Sequence, residues 1–186
     1  SGSSSVLYAV IISLLVAMIM YFIQGIMKPK EAVDLTLKGI GELMPLALLM
    51  LLAFAIGNAC KELETGMYVA NATKEWLSPE LLPAVVFVIS SFIAFSTGTS
   101  WGTFAIMMAI SLPMATIHGA DITIVVAATL GGGIFGDHCS PISDTSIISS
   151  MASASDHIDH VKTQLPYALI GGVITTLLYL VIGFLG

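Results

Sequence analysis

Long apolar runs separated by short polar segments dominate the pattern of this sequence. Residues 6–27 contain one large polar side chain, Gln24, and at about 1.5 Å per residue a helix of that length crosses the roughly 30 Å core of a bilayer. The segment 31–42 mixes charged and apolar positions and predicts an interfacial segment, and a second apolar run follows at 43–60. Residues 61–82 are too polar to cross and predict a surface helix.

Two shorter apolar runs, 83–95 and 101–113, flank a hydroxyl-rich segment at 96–100. Each run reaches about 20 Å as a helix, which is short of the core thickness. The pattern fits either a re-entrant hairpin over 83–113, with its tip near mid-membrane, or one over-long broken span. The hairpin places four of the six lysines on one side of the membrane, so the positive-inside rule favours it.

The run 122–156 is apolar at first and is then interrupted. Three glycines at 131–133 are expected to loosen the helix, and the segment 136–141 cannot continue it comfortably. A capped restart is expected after the break. The polar loop 156–164 then leads to a last span at 166–185. The pattern therefore predicts an all-α membrane protein with about four transmembrane helices, a re-entrant hairpin and one unwound, broken helix.

Composition supports this class. Hydrophobic residues make up 56% of the 186 residues, charged residues 10%, and the net charge is −6. A chain with so few charged residues cannot cover itself with a charged surface, so most of its surface must face lipid. This composition excludes nucleic-acid binding and a soluble enzyme. Residues 1–5 are small and polar and indicate a linker or an expression remnant, leaving 6–186 as a single transmembrane unit.

Two breaks inside a membrane indicate a binding site, because unwound backbone persists there only where protein, water or an ion meets it. Helix ends, carbonyls and hydroxyls are the hard oxygen ligands that suit a small alkali cation. An intramembrane carboxylate is a functional candidate by default. We therefore expect ligands at Asp137, Asp144, Ser140, Ser143, Thr145, Ser96, Thr97, Thr99 and Ser100, with a proton-linked role for His138.

Each of these features also has a plain structural interpretation. The hydroxyl-rich segment and the glycines 131–133 can simply allow close helix contact, and Asp144 can be only a helix cap. His118 is expected to be solvated. His157 and His160 fit a loop anchor better than a metal site, because the sequence offers no third convergent ligand.

Three strings carry a resemblance to a known family: FSTGTSWGTF at 95–104, GGIFGDHCSPISDT at 132–145 and DHIDHVKTQLPYA at 156–168. In this order they closely resemble the C-terminal half of NhaC-type sodium/proton antiporters, within the ion transporter superfamily. That resemblance implies two inverted repeats, in each of which a hairpin tip and an unwound helix form the site together. It places the tip at 96–100 and the unwound helix at 136–145.

The resemblance also implies a function: antiport of Na⁺ and H⁺ across a bacterial inner membrane, by competition of ion and proton at an intramembrane carboxylate. Na⁺ would be the transported ion, with no cofactor and no enzymatic reaction. The alternative is a Na⁺- or H⁺-coupled carrier of a small organic acid or amino acid. An aspartyl protease using Asp137 and Asp144 is disfavoured because one loop carries both residues, and a purely structural subunit is a further class.

The chain departs from the family in length, since it has room for one repeat instead of two. A complete carrier would need a complementary N-terminal half or a second copy in the opposite orientation, and we expect a homo-oligomer. Of these arrangements, a fragment or split chain fits the N-terminal sequence best.

Overall fold

The computed structural model describes residues 2–185, except for the side chains at 2–4, 42, 43, 45, 46, 49, 50, 151 and 152. Within that range the regular structure is entirely α-helical, as predicted. The helices are α1 (Gly2–Ile23), α2 (Pro29–Glu62), α3 (Thr65–Thr73), α4 (Leu82–Thr97), α5 (Ser100–His118), α6 (Ile122–Cys139), α7 (Asp144–Ala152) and α8 (His157–Leu185).

Among the described residues, four stretches are long and apolar enough to cross a membrane: Ser5–Ile23, Ser100–His118, Ile122–Cys139 and His157–Leu185. Helix α4 is a shorter apolar helix. The chain divides into two compact units, residues 1–48 and 49–186.

The first unit contains α1 and the beginning of α2. Helix α1 begins at Gly2, so residues 2–5, expected to be a linker, are helical; Ser1 lies outside the described residues. Helix α2 is continuous from Pro29 to Glu62. The expected interfacial segment 31–42 and the expected span 43–60 are therefore parts of one helix, and several side chains of that span lie outside those described.

The second unit is built around α4, α5 and α6. Gly132 of α6 packs on Phe87 of α4, and Gly136, one turn later, packs on Ser91, so α4 and α6 run parallel. Helix α5 runs antiparallel to both. The buried apolar residues shared by these helices and by α3 with its following loop are Ala70, Leu77, Leu82, Val86, Phe87, Met107, Met114, Ala115, Val125 and Ala128.

The glycines of α6 do not loosen the helix, contrary to our expectation, because it continues without interruption to Cys139. A Cβ added at Gly132 would collide with the carbonyl oxygen of Phe87, and one at Gly133 would lie 2.5 Å from the ring of Phe104. The absent side chains therefore let α4 and α5 approach the α6 backbone, and these contacts offset the low helix propensity of glycine. The close-contact interpretation of these glycines is confirmed, and the break begins only at Ser140.

Helix α5 passes through Pro113 and ends at His118, so the predicted end of the second hairpin arm at Pro113 is wrong. Its 19 residues are long enough to cross a bilayer. Proline cannot bond to the carbonyl four residues earlier. Here that carbonyl, of Ala109, lies against Gly66 of α3, where an added Cβ would be 2.6 Å from the oxygen. Helix α3 therefore packs directly against the turn of α5 that contains the proline.

His118 is half-buried and is not solvated as expected. Its Nδ1 lies 2.9 Å from the carbonyl oxygen of Leu77, and its Nε2 lies 3.1 Å from that of Ala70 and 3.2 Å from the Thr73 hydroxyl. These contacts tie the end of α5 to α3 and to the loop before α4. The start of α4 and the end of α5 therefore lie at the same end of the α4–α5 hairpin.

Helix α8 begins at His157, before the predicted start of the last span at 166, and includes Pro166. It runs antiparallel to α6, because Gly172 packs on the ring of Phe135 while Tyr179 lies beside Gly131. Phe87 joins this contact, with its ring centroid 5.8 Å from that of Phe135 and 5.4 Å from that of Tyr179.

Candidate functional site

The tip of the α4–α5 hairpin and the break between α6 and α7 are in contact. At the tip, Gly98 adopts φ 68° and donates its N–H to the Ala94 carbonyl at 2.8 Å. A Cβ at Gly98 would lie 2.7 Å from the carbonyl oxygen of Ile142 in the break. The hydroxyl of Ser140 donates to the carbonyl of Phe95 at 2.7 Å. The two segments singled out by the sequence therefore form one region, which we call the tip–break junction (residues 95–100 and 137–145).

The hydroxyls of the hairpin tip divide into two groups. Thr99 is buried and caps α5, since its hydroxyl accepts a hydrogen bond from the Gly102 N–H at 3.4 Å, and Ser100 beside it is half-buried. Ser96 and Thr97 are exposed, and their hydroxyls donate to carbonyls of their own helix at 2.8 and 2.9 Å. The tight turn at Gly98 separates the groups, so Thr99 and Ser100 are the tip residues nearest the interior.

The break residues are also divided. Ser140 and Ser143 are fully buried, and the Ser143 hydroxyl lies 2.7 Å from that of Thr145 and accepts the Ser146 N–H at 3.4 Å. Ser143 therefore caps α7. Asp144 and Thr145 are exposed, and Asp144 lies in the first turn of α7, where a carboxylate interacts favourably with the helix dipole. The helix cap that we proposed at Asp144 is instead supplied by Ser143.

Asp137 is the buried carboxylate of the junction. It lies in the last turn of α6, 8% exposed, and among the described residues its Oδ1 is one of two buried side-chain atoms without a hydrogen-bond partner, the other being Oγ of Ser90. Helix α6 contacts α5 at the hydroxyls of Thr129 and Ser111, which lie 3.0 Å apart. Asp137 is eight residues after Thr129, and α5 is antiparallel to α6, so counting back eight residues from Ser111 places Asp137 at the level of Thr103. This level is in the first turns of α5, where the helix dipole is positive.

Backbone carbonyls at the junction were expected to be free to bind an ion, but two of them accept hydrogen bonds from side chains of α8. The His138 carbonyl accepts a hydrogen bond from Gln164 Nε2 at 2.6 Å, and the Pro141 carbonyl accepts one from His157 Nε2 at 2.7 Å. The imidazole of His138 itself is exposed. Side-chain oxygens, with Asp137 foremost, are therefore the main buried groups available to a cation.

His157 contacts the break from the first turn of α8, so the polar loop expected at 156–164 is helical from His157 onwards. An anchoring role at the cytoplasmic end stays a prediction. Within the described part of the chain, no group of three histidine, cysteine, aspartate or glutamate side chains is arranged to hold a metal ion. Sequence reasoning did not identify Gln164 as a partner of the His138 carbonyl. Its spacing of seven residues from His157, which is two helical turns, places both side chains on one side of a helix and could have indicated it.

Comparison with known proteins adds relatives over nearly the whole chain. The model of the Na⁺/H⁺ antiporter family matches residues 2–184. An uncharacterized protein of Haemophilus influenzae is 35% identical over 173 residues, 92% of this chain and 33% of that protein. The malate-2H⁺/Na⁺-lactate antiporter of Bacillus subtilis is 32% identical over 111 residues, 60% of this chain and 24% of that protein.

The Na⁺/H⁺ antiporter NhaC of Alkalihalophilus pseudofirmus is 31% identical over 107 residues, 58% of this chain and 23% of that protein. This chain thus spans about a quarter to a third of the length of these relatives. No solved structure matches it. The family resemblance drawn from the three sequence strings is confirmed: this chain is an integral membrane protein that belongs to the Na⁺/H⁺ antiporter family.

Proposed function

We propose that this chain forms one repeat of a secondary transporter that exchanges Na⁺ for H⁺, with Asp137 as the group for which the two cations compete. One observation carries the proposal: Asp137 is 8% exposed and its Oδ1 has no protein partner among the described residues. A buried carboxylate without a partner is costly unless it binds a proton or a cation. One carboxylate cannot hold both at once, so the two cations are exchanged when the occupied site alternates between the two faces of the membrane.

The rest of the junction supplies weaker ligands in this proposal. The buried hydroxyl of Ser140 and the tip residues Thr99 and Ser100 lie where the two segments meet, and neutral oxygens of this kind complete the shell of an alkali cation. Asp144 and Thr145 are exposed. We assign them to the rim, where Asp144 attracts cations towards the junction.

The proposed membrane arrangement follows the family resemblance. The α4–α5 hairpin is re-entrant, α6 and α7 are the halves of one broken helix, and the site lies in a bacterial inner membrane. A complementary repeat, supplied by an N-terminal half or a second copy, completes the pathway. The packing of Gly98 against Ile142 supports joining the hairpin and the broken helix into one site.

Proton release tests the proposal without requiring a partner repeat. Adding Na⁺ to the purified chain in weakly buffered detergent solution, over a series of starting pH values, should release protons, because a shared carboxylate gives up its proton when Na⁺ binds. Asp137→Asn removes the titratable group and keeps the shape, so the release should disappear. The matched control Asp144→Asn should retain it.

The opposite result, release that survives Asp137→Asn and disappears in Asp144→Asn, would move the coupling role to Asp144. Counterflow of Na⁺ in proteoliposomes, with and without a complementary repeat, then tests whether the bound ion is transported.

A second candidate is a Na⁺- or H⁺-coupled carrier of a small organic acid. The observation that favours it is the similarity to the Bacillus subtilis protein, which equals the similarity to NhaC at 32% against 31% identity. The N-termini of α5 and α7 both lie at the junction. They could bind the carboxylate of an organic acid, as helix N-termini do. Counterflow with malate and lactate separates the two candidates, because only the carrier accelerates Na⁺ exchange when an organic acid is present.

A further inference from the structure

The first two turns of α8 contact the break through two side chains. His157 and Gln164 are seven residues apart, so they project from one face of the helix about 10 Å apart. His157 Nε2 bonds to the Pro141 carbonyl at 2.7 Å, and Gln164 Nε2 bonds to the His138 carbonyl at 2.6 Å. Two donors on one rigid helix thus bond to the last turn of α6, at His138, and to the break, at Pro141. The His138 carbonyl also accepts a longer hydrogen bond from the Ser146 hydroxyl at 3.4 Å.

The geometry fixes which nitrogen of His157 donates to the break. A carbonyl oxygen can only accept, so His157 carries a hydrogen on Nε2 whatever its charge. Its other nitrogen, Nδ1, lies 3.2 Å from the Ser150 hydroxyl, which donates to the Ile147 carbonyl at 2.8 Å. The ring is therefore held between α7 and the break.

The start of α8 is itself fixed. The carboxylate of Asp156 accepts the N–H of Asp159 at 3.0 Å and caps the helix at the residue before His157. His157 consequently occupies the first turn of a capped helix that continues for 29 residues. A donor on such a support can define the position of a loop, whereas a donor on a mobile segment cannot.

We propose that His157 and Gln164 are positioning residues, a clasp that fixes the break and thereby holds the Asp137 carboxylate in place for its cation. Their bonds draw the His138 and Pro141 carbonyls towards α8, so these two oxygens are removed from the ion's ligand shell. The backbone on both sides of Ser140 is thereby fixed one turn from the carboxylate. This inference rests on the proposed ion site for its functional part, and its structural part is testable separately.

Cys139 reports the structural part directly, because it lies between the two clasped residues and is only 4% exposed. In a Cys60→Ser background of the full chain, N-ethylmaleimide should react with Cys139 only when the break opens. His157→Leu and Gln164→Met each remove one donor, so each should raise the alkylation rate about five- to tenfold, as the loss of one hydrogen bond implies. His157→Gln keeps an amide donor and should stay close to the parent rate.

His160→Leu is the matched control, since His160 lies one turn along the same helix and its ring makes no hydrogen bond within the described part of the chain. It should leave the alkylation rate unchanged. Rates for His157→Leu and Gln164→Met equal to that control would overturn the clasp. The two variants act on different bonds, so a folding failure of one leaves the other to decide.

The functional part is measured by Na⁺-dependent proton release in the same variants. Loss of positioning should raise the Na⁺ concentration for half-maximal release about five- to tenfold while leaving the release at saturation unchanged, and His157→Gln should restore it. Faster alkylation with an unchanged Na⁺ constant would mean that the clasp closes the break without positioning the ion, which refutes the positioning role. Should Asp137→Asn leave proton release intact, the proposed ion site fails, while alkylation still decides the structural part.

Discussion

Replacing Gly136 by alanine inserts a methyl group where α4 and α6 touch through their backbones. The new Cβ would overlap the carbonyl oxygen of Ser91 and lie 2.8 Å from both Ala94 Cβ and the Phe95 nitrogen, against 3.4–4 Å for ordinary contact. The helices must therefore separate beside the Ser140–Phe95 hydrogen bond of 2.7 Å.

The expected cost follows from these contacts. Overpacking a close contact costs about 1–3 kcal/mol, and losing the hydrogen bond costs about 1 kcal/mol. Alanine recovers about 1 kcal/mol of helix propensity relative to glycine. Gly136→Ala should therefore lower the free energy of unfolding by about 1–3 kcal/mol, which for a chain of this size lowers the melting temperature by about 2–12 °C.

Gly171→Ala is the matched control, because Gly171 is also inside a helix and a Cβ there meets nothing within 4 Å. It should be neutral or stabilising by up to about 1 kcal/mol. Melting in detergent can be followed with a thiol-reactive dye, since Cys139 is buried, in a Cys60→Ser background. Equal melting temperatures for the two alanine variants would show that the helices have room at Gly136 and would refute the argument.

Two further predictions concern the hairpin. Thr99→Val should raise the Na⁺ concentration for half-maximal proton release about five- to tenfold, because it removes a buried hydroxyl. Thr97→Val should have little effect, because that hydroxyl is exposed and bonded to its own helix. Equal effects of the two variants would contradict the inward assignment of Thr99. Cysteines replacing Glu80 and His118 should react with an impermeant maleimide from the same face of a proteoliposome, and reaction from opposite faces would contradict the hairpin. A cysteine at the exposed Ser96 measures depth, since its labelling from the other face indicates two full spans, and its protection a re-entrant tip.

Hydrophobic pattern was sufficient to predict where the helices lie but not where several of them end. The rule that proline ends a helix failed at Pro113, where Gly66 of a distant segment packs against the backbone of the helix one turn earlier. The glycines 131–133 look like helix breakers locally, yet neighbouring helices occupy the space that they leave. In both cases tertiary contact overrode a local preference, and no single segment carries that information.

The candidate site shows the same division. Residue type identified the junction, since hydroxyls and carboxylates in unwound segments are unusual in an apolar chain. It favoured Asp137 over Asp144, which can cap a helix, but it did not rank Thr97 below Thr99, because that ranking depends on side-chain direction around the turn at Gly98. Gln164 and His157, which bond to the His138 and Pro141 carbonyls, lie 26 and 16 residues further along the chain, beyond any local pattern.

The contact between Ser140 and Phe95 has a consequence for biogenesis. Its partners are 45 residues apart, so at a synthesis rate of about 5–20 residues per second the hairpin waits about 2–9 s for the break to emerge. During that interval the backbone of Phe95 and the turn at Gly98 lack their native neighbours. Gln164, which lies 26 residues after His138, emerges later still, so the break is secured only after α8 has begun to form. The junction is therefore assembled in order along the nascent chain, and a chain truncated before α8 would carry every proposed ligand without the two side chains that hold the break.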